Sequence, residues 1–316
     1  MKAFQIVKSS NCQIIQTLYR SFMRQYMDRS QFITSLLLLS MAKAMDLKEF
    51  GKITGAFGDT DTMPALFIGH GSPMNAIEDN EFGRSWEAIG REITRPSAIL
   101  CISAHWETKG TLVTAMEKPK TIHDFGGFPK ELFDVLYPAP GSSKLAEETK
   151  NAIHKTSIGL DNDWGLDHGA WSVLKHIYPL ADVPVIQMSL DYTQPAQYHY
   201  ELAKELAALR RKGILIVGSG NMVHNLRITD FSMPNQGHDW AIEANEMLKR
   251  FISSHDDKAL INYQALGRAV ALSTPTPEHY LPLLYTLALR GENENLSFFN
   301  DKMTYGSIAM TSVRIG

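Results

Sequence analysis

Ala65-Leu66-Phe67-Ile68-Gly69-His70-Gly71-Ser72-Pro73 is the stretch from which the fold is read: a short apolar run that ends on a histidine held in a turn. Such a run, closed by turn-forming residues, reads as a buried strand. Two other stretches are built the same way. Ala98-Ile99-Leu100-Cys101-Ile102-Ser103-Ala104-His105-Trp106 ends on His105, and Ile214-Leu215-Ile216-Val217-Gly218-Ser219-Gly220-Asn221 leads to His224. The strands are expected over 65–68, 97–103, 111–116, 184–190, 213–219, 296–302 and 306–313. Helices are expected over 81–93, 142–155, 170–177, 195–210, 238–253 and 279–289. Ser142-Ser143 and the acids that follow them suit a helix N-terminus. Strands that alternate with helices predict a three-layer α/β/α fold around a central mixed, mostly parallel sheet. The antiparallel component is expected from the last two runs, which Thr304-Tyr305 separates in a hairpin-like connection.

The composition is that of an ordinary globular protein: 316 residues, 44% hydrophobic and 21% charged. A net charge of −3 and the lack of any long basic run argue against nucleic acid as a partner. Of the two cysteines, Cys12 and Cys101, the latter sits inside a strand run and reads as a small buried hydrophobe. No disulfide framework and no Cys-rich zinc motif is present, so a metal site must rest on histidines and carboxylates. Residues 1–60 read as an N-terminal extension and 61–316 as one domain. Phe32-Ile33-Thr34-Ser35-Leu36-Leu37-Leu38-Leu39-Ser40-Met41 is too short to span a bilayer as a helix, so no membrane partner is expected. Arg24 and Arg29 before it and Ala42-Lys43-Ala44 after it leave a signal peptide over 23–44 as the alternative to an amphipathic helix or an upstream extension. The expected location is the cytoplasm, or outside it if that segment directs export.

Ligand sites in open α/β sheets gather where strands end, and neutral imidazole is the commonest protein ligand for a transition metal. His70 and His105 are metal-ligand candidates on that ground. His224 follows a Gly-Ser-Gly-Asn turn that would also serve as an anion nest. His279, in Thr274-Pro275-Thr276-Pro277-Glu278-His279, precedes a helix, and Glu278 beside it is a ligand in its own right or an early-turn acid favoured by the helix dipole. His168 lies just before a helix, where a general acid/base or a capping residue fits. Asp167 is its nearest carboxylate, although adjacent residues rarely share a hydrogen bond. His123 and Asp124 occur in a long loop, 117–141, rich in Gly, Pro and aromatics; His123 is a substrate-contact candidate, and Phe125, Phe128 and Tyr137 offer a wall for a flat ligand. His154, His176, His199, His238 and His255 lie on helical segments and are read as surface or packing residues.

Six segments together resemble one family. They are Phe-Ile-Gly-His-Gly-Ser-Pro-Met-Asn at 67–75, Ser-Ala-His-Trp at 103–106, Thr-Ile-His-Asp-Phe-Gly-Gly-Phe-Pro at 121–129, Gly-Leu-Asp-His-Gly-Ala-Trp at 165–171, Gly-Ser-Gly-Asn-Met-Val-His-Asn-Leu-Arg at 218–227 and Thr-Pro-Glu-His-Tyr-Leu-Pro-Leu at 276–283. The chain from about 63 to 316 is similar to the class III extradiol ring-cleavage dioxygenases, in particular the 4,5-DOPA extradiol dioxygenase group. The resemblance implies one divalent metal ion held by His70 and His105, with His279 and His224 completing the site. Fe(II) is implied for catalysis and Zn(II) as an ion the site would also bind. It further implies His168 as acid/base, His123 near the substrate, and a small aromatic diol and O2 as partners of a monomer or small homo-oligomer. His224 stands between two roles, ligand and proton carrier. The implied reaction resembles the conversion of DOPA to 4,5-seco-DOPA. A zinc-dependent hydrolase on the same scaffold is the alternative.

Overall fold

The computed structural model describes residues 61–316; the expected extension, the apolar run at 32–41, the 23–44 segment and Cys12 lie outside the described residues. Ten strands follow in order: β1 (Ala65–Gly69), β2 (Ala98–Thr108), β3 (Thr111–Thr114), β4 (Ile158–Asp161), β5 (Val185–Asp191), β6 (Ile214–Gly220), β7 (Leu296–Phe299), β8 (Met303–Thr304), β9 (Ile308–Ala309) and β10 (Ser312–Ile315). The longer helices are α1 (Glu81–Glu92), α2 (Ser143–Ala152), α3 (His168–Ile177), α4 (Ala196–Glu205), α5 (Asp239–Ser253) and α6 (Leu281–Ala288). Eight strands form one sheet in the order β4-β3-β5-β2-β6-β1-β10-β7. Its centre, β5-β2-β6-β1, is parallel, while β3 against β5 and β10 against both β1 and β7 are antiparallel. The mixed, mostly parallel sheet is therefore as expected.

The central strands are mostly apolar because both faces are covered, with polar residues such as Ser103, Gln187 and Ser219 among them. Phe67, Leu100, Ile102, Ile214 and Ile216 join Leu145 of α2, Leu202 of α4, Leu248 of α5 and Leu284 of α6 in one cluster. Their neighbours in sequence, Leu66, Ile68, Ile99, Cys101, Leu215 and Val217, join Trp86 of α1 and Trp171 of α3 in the other. The period of two along each strand thus distributes side chains to two cores. Cys101 is a free, fully buried thiol within the second.

The structure departs from the expected elements at several points. β2 runs on to Thr108, so His105 lies within a strand; it is nevertheless beyond Ser103, the last residue paired with β6, and the pairing with β5 shifts between Ile102 and Glu107. β4 escaped notice because it is four residues long and contains Gly159. The 195–210 helix breaks after Glu205, and Ala207–Arg210 forms a separate turn. The 306–313 run splits: β9 pairs with β8 in a small hairpin, while β10 returns to the main sheet between β1 and β7.

Candidate metal centre

Because β1, β6 and β2 are adjacent and parallel, their C-terminal ends open on one edge. His70 follows β1 there, its N–H donating to the Gly220 carbonyl at 3.1 Å and its own carbonyl accepting from the Asn75 amide at 2.9 Å. The chain leaving β6 meets the segment before α6: the Asn221 N–H donates to the His279 carbonyl at 2.9 Å, and the His224 N–H to the Ser273 carbonyl at 2.8 Å. A Cβ at Gly220 would lie 2.2 Å from the His279 carbonyl oxygen, so only glycine permits this approach. α3 starts at His168 and is capped by Asp167, whose side chain accepts from the Ala170 N–H. A Cβ at Gly169 would lie 2.4 Å from Ser103 Oγ and 2.9 Å from His105 Cδ2, so the first turn of α3 sits directly on the end of β2.

Five imidazoles meet at this edge. His70 Nε2 and His105 Nε2 are 3.1 Å apart. The rings of His70, His105 and His279 form a nearly equilateral triangle, with centroids 5.0, 5.4 and 5.0 Å apart. His168 lies closer to His105, at 3.9 Å, than to His70, at 5.6 Å. His224 stacks on His279 at 3.5 Å, with an interplanar angle of 11°. Ligand atoms of His70, His105 and His168 lie within 4.8 Å of one another, as do those of His224, Glu278 and His279.

The partners on the far side of the rings fix the tautomers. Ser219 Oγ donates its single proton to the Gly169 carbonyl at 2.6 Å, so it accepts from His70 Nδ1 at 3.0 Å. His279 Nδ1 donates to the Glu278 carboxylate at 3.0 Å, and His168 Nδ1 to Asp124 Oδ2 at 2.9 Å. His105 Nδ1 faces the same Asp124 oxygen at 3.5 Å. With Nδ1 protonated, His70, His168 and His279 each present an Nε2 lone pair. The His70 lone pair faces His105 Nε2 at 3.1 Å, a spacing that a proton on His105 Nε2 or a cation between the two nitrogens would bridge. The donor set, neutral nitrogens with carboxylates and hydroxyls behind them, fits a divalent transition metal.

Burial keeps His70, His105, His224 and His279 neutral. It lowers the pKa of His70 and His279 well below the ordinary histidine value, and neighbouring imidazoles add to the effect. His105 falls to about 3, chiefly by burial and then by His168. His224 falls to about 4, again by burial, with Glu278 opposing. Burial disfavours the charge of Asp124, but the hydrogen bonds from His168 and the electrostatic attraction of His168 and His105 outweigh it and hold that carboxyl below the usual range. Asp167 moves the other way: fully buried and near Asp124, it is raised despite hydrogen bonds from Gln187 and Ser103.

The structure thus brings His70, His105, His168, His224 and His279 together. His123 lies one layer further out. Its Nε2 donates to the Val135 carbonyl at 3.0 Å, and its ring packs against Phe125, Phe133 and Trp171. Phe125 touches the His168 ring at 5.5 Å and Phe128 at 5.4 Å. Tyr137, expected in this wall, is instead buried in the core, its hydroxyl donating to the Tyr178 carbonyl, and Phe133 stands against Phe125. The carboxylate that orients His168 is Asp124, 44 residues away, while Asp167 serves as a helix cap. Ser219 is expected as the end of the 213–219 strand and in the turn after it, with no role toward His70. The His-Asp pair at 123–124 was the one signal in the sequence for Asp124; nothing local marked Ser219, whose partner is 149 residues distant.

Comparison with known proteins gives the family. The family described as the catalytic LigB subunit of aromatic ring-opening dioxygenase matches residues 64–308. An Escherichia coli (strain K12) 4,5-DOPA dioxygenase extradiol is 48% identical over 258 residues, covering 80% of this chain and 95% of the relative. A Beta vulgaris protein of the same name is 35% identical, covering 78% and 96%. The crystal structure of an uncharacterized Escherichia coli K12 protein, JW3007, superposes with a TM-score of 0.71 at 43% identity, covering 80% of this chain and all of that one.

Proposed function

The chain belongs to the family of LigB catalytic subunits of aromatic ring-opening dioxygenases, and on that premise we propose that it opens the ring of a DOPA-like catechol beside the diol, with both atoms of O2 entering the product. Its enzyme class is that of an extradiol ring-cleaving dioxygenase. The substrate, the ion and the residue roles are our reading.

The observation that carries this reading is the pair of Nε2 atoms facing each other at 3.1 Å, with His279 at the third corner of the triangle. His70, His105 and His279 would hold a divalent ion, and His224, stacked on His279, would complete the set. His168 is left to the substrate because its ring lies over His105 and outside that triangle. When bound, Fe(II) would supply Lewis acidity toward the diol and a route for electron density to O2. The rest falls to the chain's own side chains. His168 Nε2, its tautomer set by Asp124, takes a proton from a catechol hydroxyl and returns it to a departing oxygen. Phe125, Phe128 and Phe133 offer aromatic surface to the flat ring. His123, with Nε2 engaged by Val135, keeps Nδ1 as an acceptor toward a polar group of the substrate.

The test is oxygen uptake by protein reconstituted anaerobically with Fe(II), over a panel of catechols including DOPA, with product absorbance followed. Uptake with DOPA and a near-inactive zinc-loaded control would support the reading. No uptake with any catechol, together with ester or amide hydrolysis by the zinc form, would replace it with the hydrolase alternative.

A further inference from the structure

Asp124 stands where two histidines of different function meet. Its Oδ2 receives the His168 Nδ1 at 2.9 Å and faces the His105 Nδ1 at 3.5 Å, while its Oδ1 accepts the His168 backbone N–H at 2.8 Å. The backbone bond fixes the carboxylate at the start of α3, and the side chain is only 17% exposed, so it cannot swing away without breaking that anchor. A carboxylate accepts and never donates in its ionised form, so His168 must turn a protonated Nδ1 toward it, and His105 Nδ1 lies next to the same oxygen. The other carboxylate close to this helix start, Asp167, is fully occupied by Ser103, Gln187 and the Ala170 N–H.

We propose that Asp124 is a positioning residue that sets the tautomer of His168 and braces His105, so that one carboxylate aligns the proton-transfer ring with the metal-holding ring. The inference rests on the assignment of His105 and His168 made above. The loop 117–141 is therefore tied to the chemistry through Asp124 as well as through its aromatic residues. Movement of that loop would release the His168 tautomer and loosen His105 together.

The experiment uses the full chain with 15N-labelled histidine, without metal, at pH 7.5. Imidazole nitrogen shifts, assigned by comparison with His168→Gln, report the tautomer directly. Wild type is expected to carry the His168 proton on Nδ1. Asp124→Asn keeps the shape but offers an amide N–H, so the proton is expected to move to Nε2. In the Fe(II)-loaded enzyme the same change is expected to lower kcat about 100-fold or more with KM changed only a few-fold, and zinc affinity, measured by chelator competition, is expected to fall about 10-fold. Asp124→Glu, which keeps the acceptor, is expected to restore the Nδ1–H tautomer. A wild-type His168 protonated on Nε2 would overturn the proposal even if every variant failed to fold. So would Asp124→Asn with an unchanged tautomer or a kcat within two-fold of wild type. If wild type consumes no oxygen with any catechol, the proposed reaction fails, and the tautomer and zinc measurements still decide the role of Asp124.

Discussion

Replacing Ser219 with alanine tests the tautomer argument at its most buried point. The Ser219 side chain is fully buried on β6, with Ile68 opposite on β1 and Ser103 opposite on β2. Removing Oγ deprives His70 Nδ1–H, bonded at 3.0 Å, of its partner and takes the second donor, at 2.6 Å, from the Gly169 carbonyl, which keeps its intrahelical bond in the first turn of α3. Water has little access, since His70 is 1% exposed. An orphaned buried polar group costs about 1–3 kcal/mol. At about 2–4 °C per kcal/mol for a body of this size, Tm of the metal-free protein should drop by about 2–12 °C. The His70 ring also loses the acceptor that fixes it, and loss of such a partner lowers metal affinity about 10- to 100-fold. Thermal unfolding of the metal-free form and zinc competition against a chromophoric chelator measure the two effects separately. A Ser219→Ala protein that melts within a degree of wild type and binds zinc equally well would refute the proposed hydrogen-bond chain and the Nδ1–H tautomer of His70 derived from it.

Three other outcomes are expected. His279→Ala should weaken zinc binding at least about 100-fold, whereas His168→Ala should bind zinc within a few-fold of wild type yet lose about 100- to 10,000-fold in kcat, as the loss of a general base does; equal effects on zinc would reassign the two rings. Gly169→Ala forces a methyl against Ser103 and His105, so it should cost about 1–3 kcal/mol in urea unfolding and lower zinc affinity as well. Acid should destabilise the metal-free protein through its buried histidines. Folded His105 stays neutral down to about 3, and His224 and His199 down to about 4, while the unfolded chain takes up protons from about 6.5. The unfolded state then binds more protons, so each group removes up to about 1.4 kcal/mol per pH unit between about 6.5 and 4. Urea midpoints that stay level from pH 7 to 4.5 would contradict those low values.

The fold was legible because parallel strands buried on both faces leave unbroken apolar runs, as in 65–68 and 214–217, and the turn residues after them point to the edge where side chains collect. His70, His105 and His224 were legible for the same reason, each lying at or soon after such an end, whereas His168 and His279 stand at helix starts. What escaped was long-range. Asp124 reaches His168 across 44 residues and Ser219 reaches His70 across 149, and no local pattern encodes either distance. The Tyr137 expectation failed because loop aromatics read alike in sequence, whether they face a ligand or, like this one, supply a hydroxyl to the Tyr178 carbonyl inside the core. β4 was missed because four residues with one fully buried side chain carry no periodicity.

The rings at the sheet edge arrive from separate crossovers, so no short peptide from this chain can assemble them. β1, β2 and β6 must already be paired before His70 and His105 come within 3.1 Å. An ion in the medium consequently has nothing to grip during the early, loop-closing part of folding. It should leave the refolding rate nearly untouched and act almost wholly by slowing escape from the native state, making the bound ion a lock on the finished protein and not a template for building it.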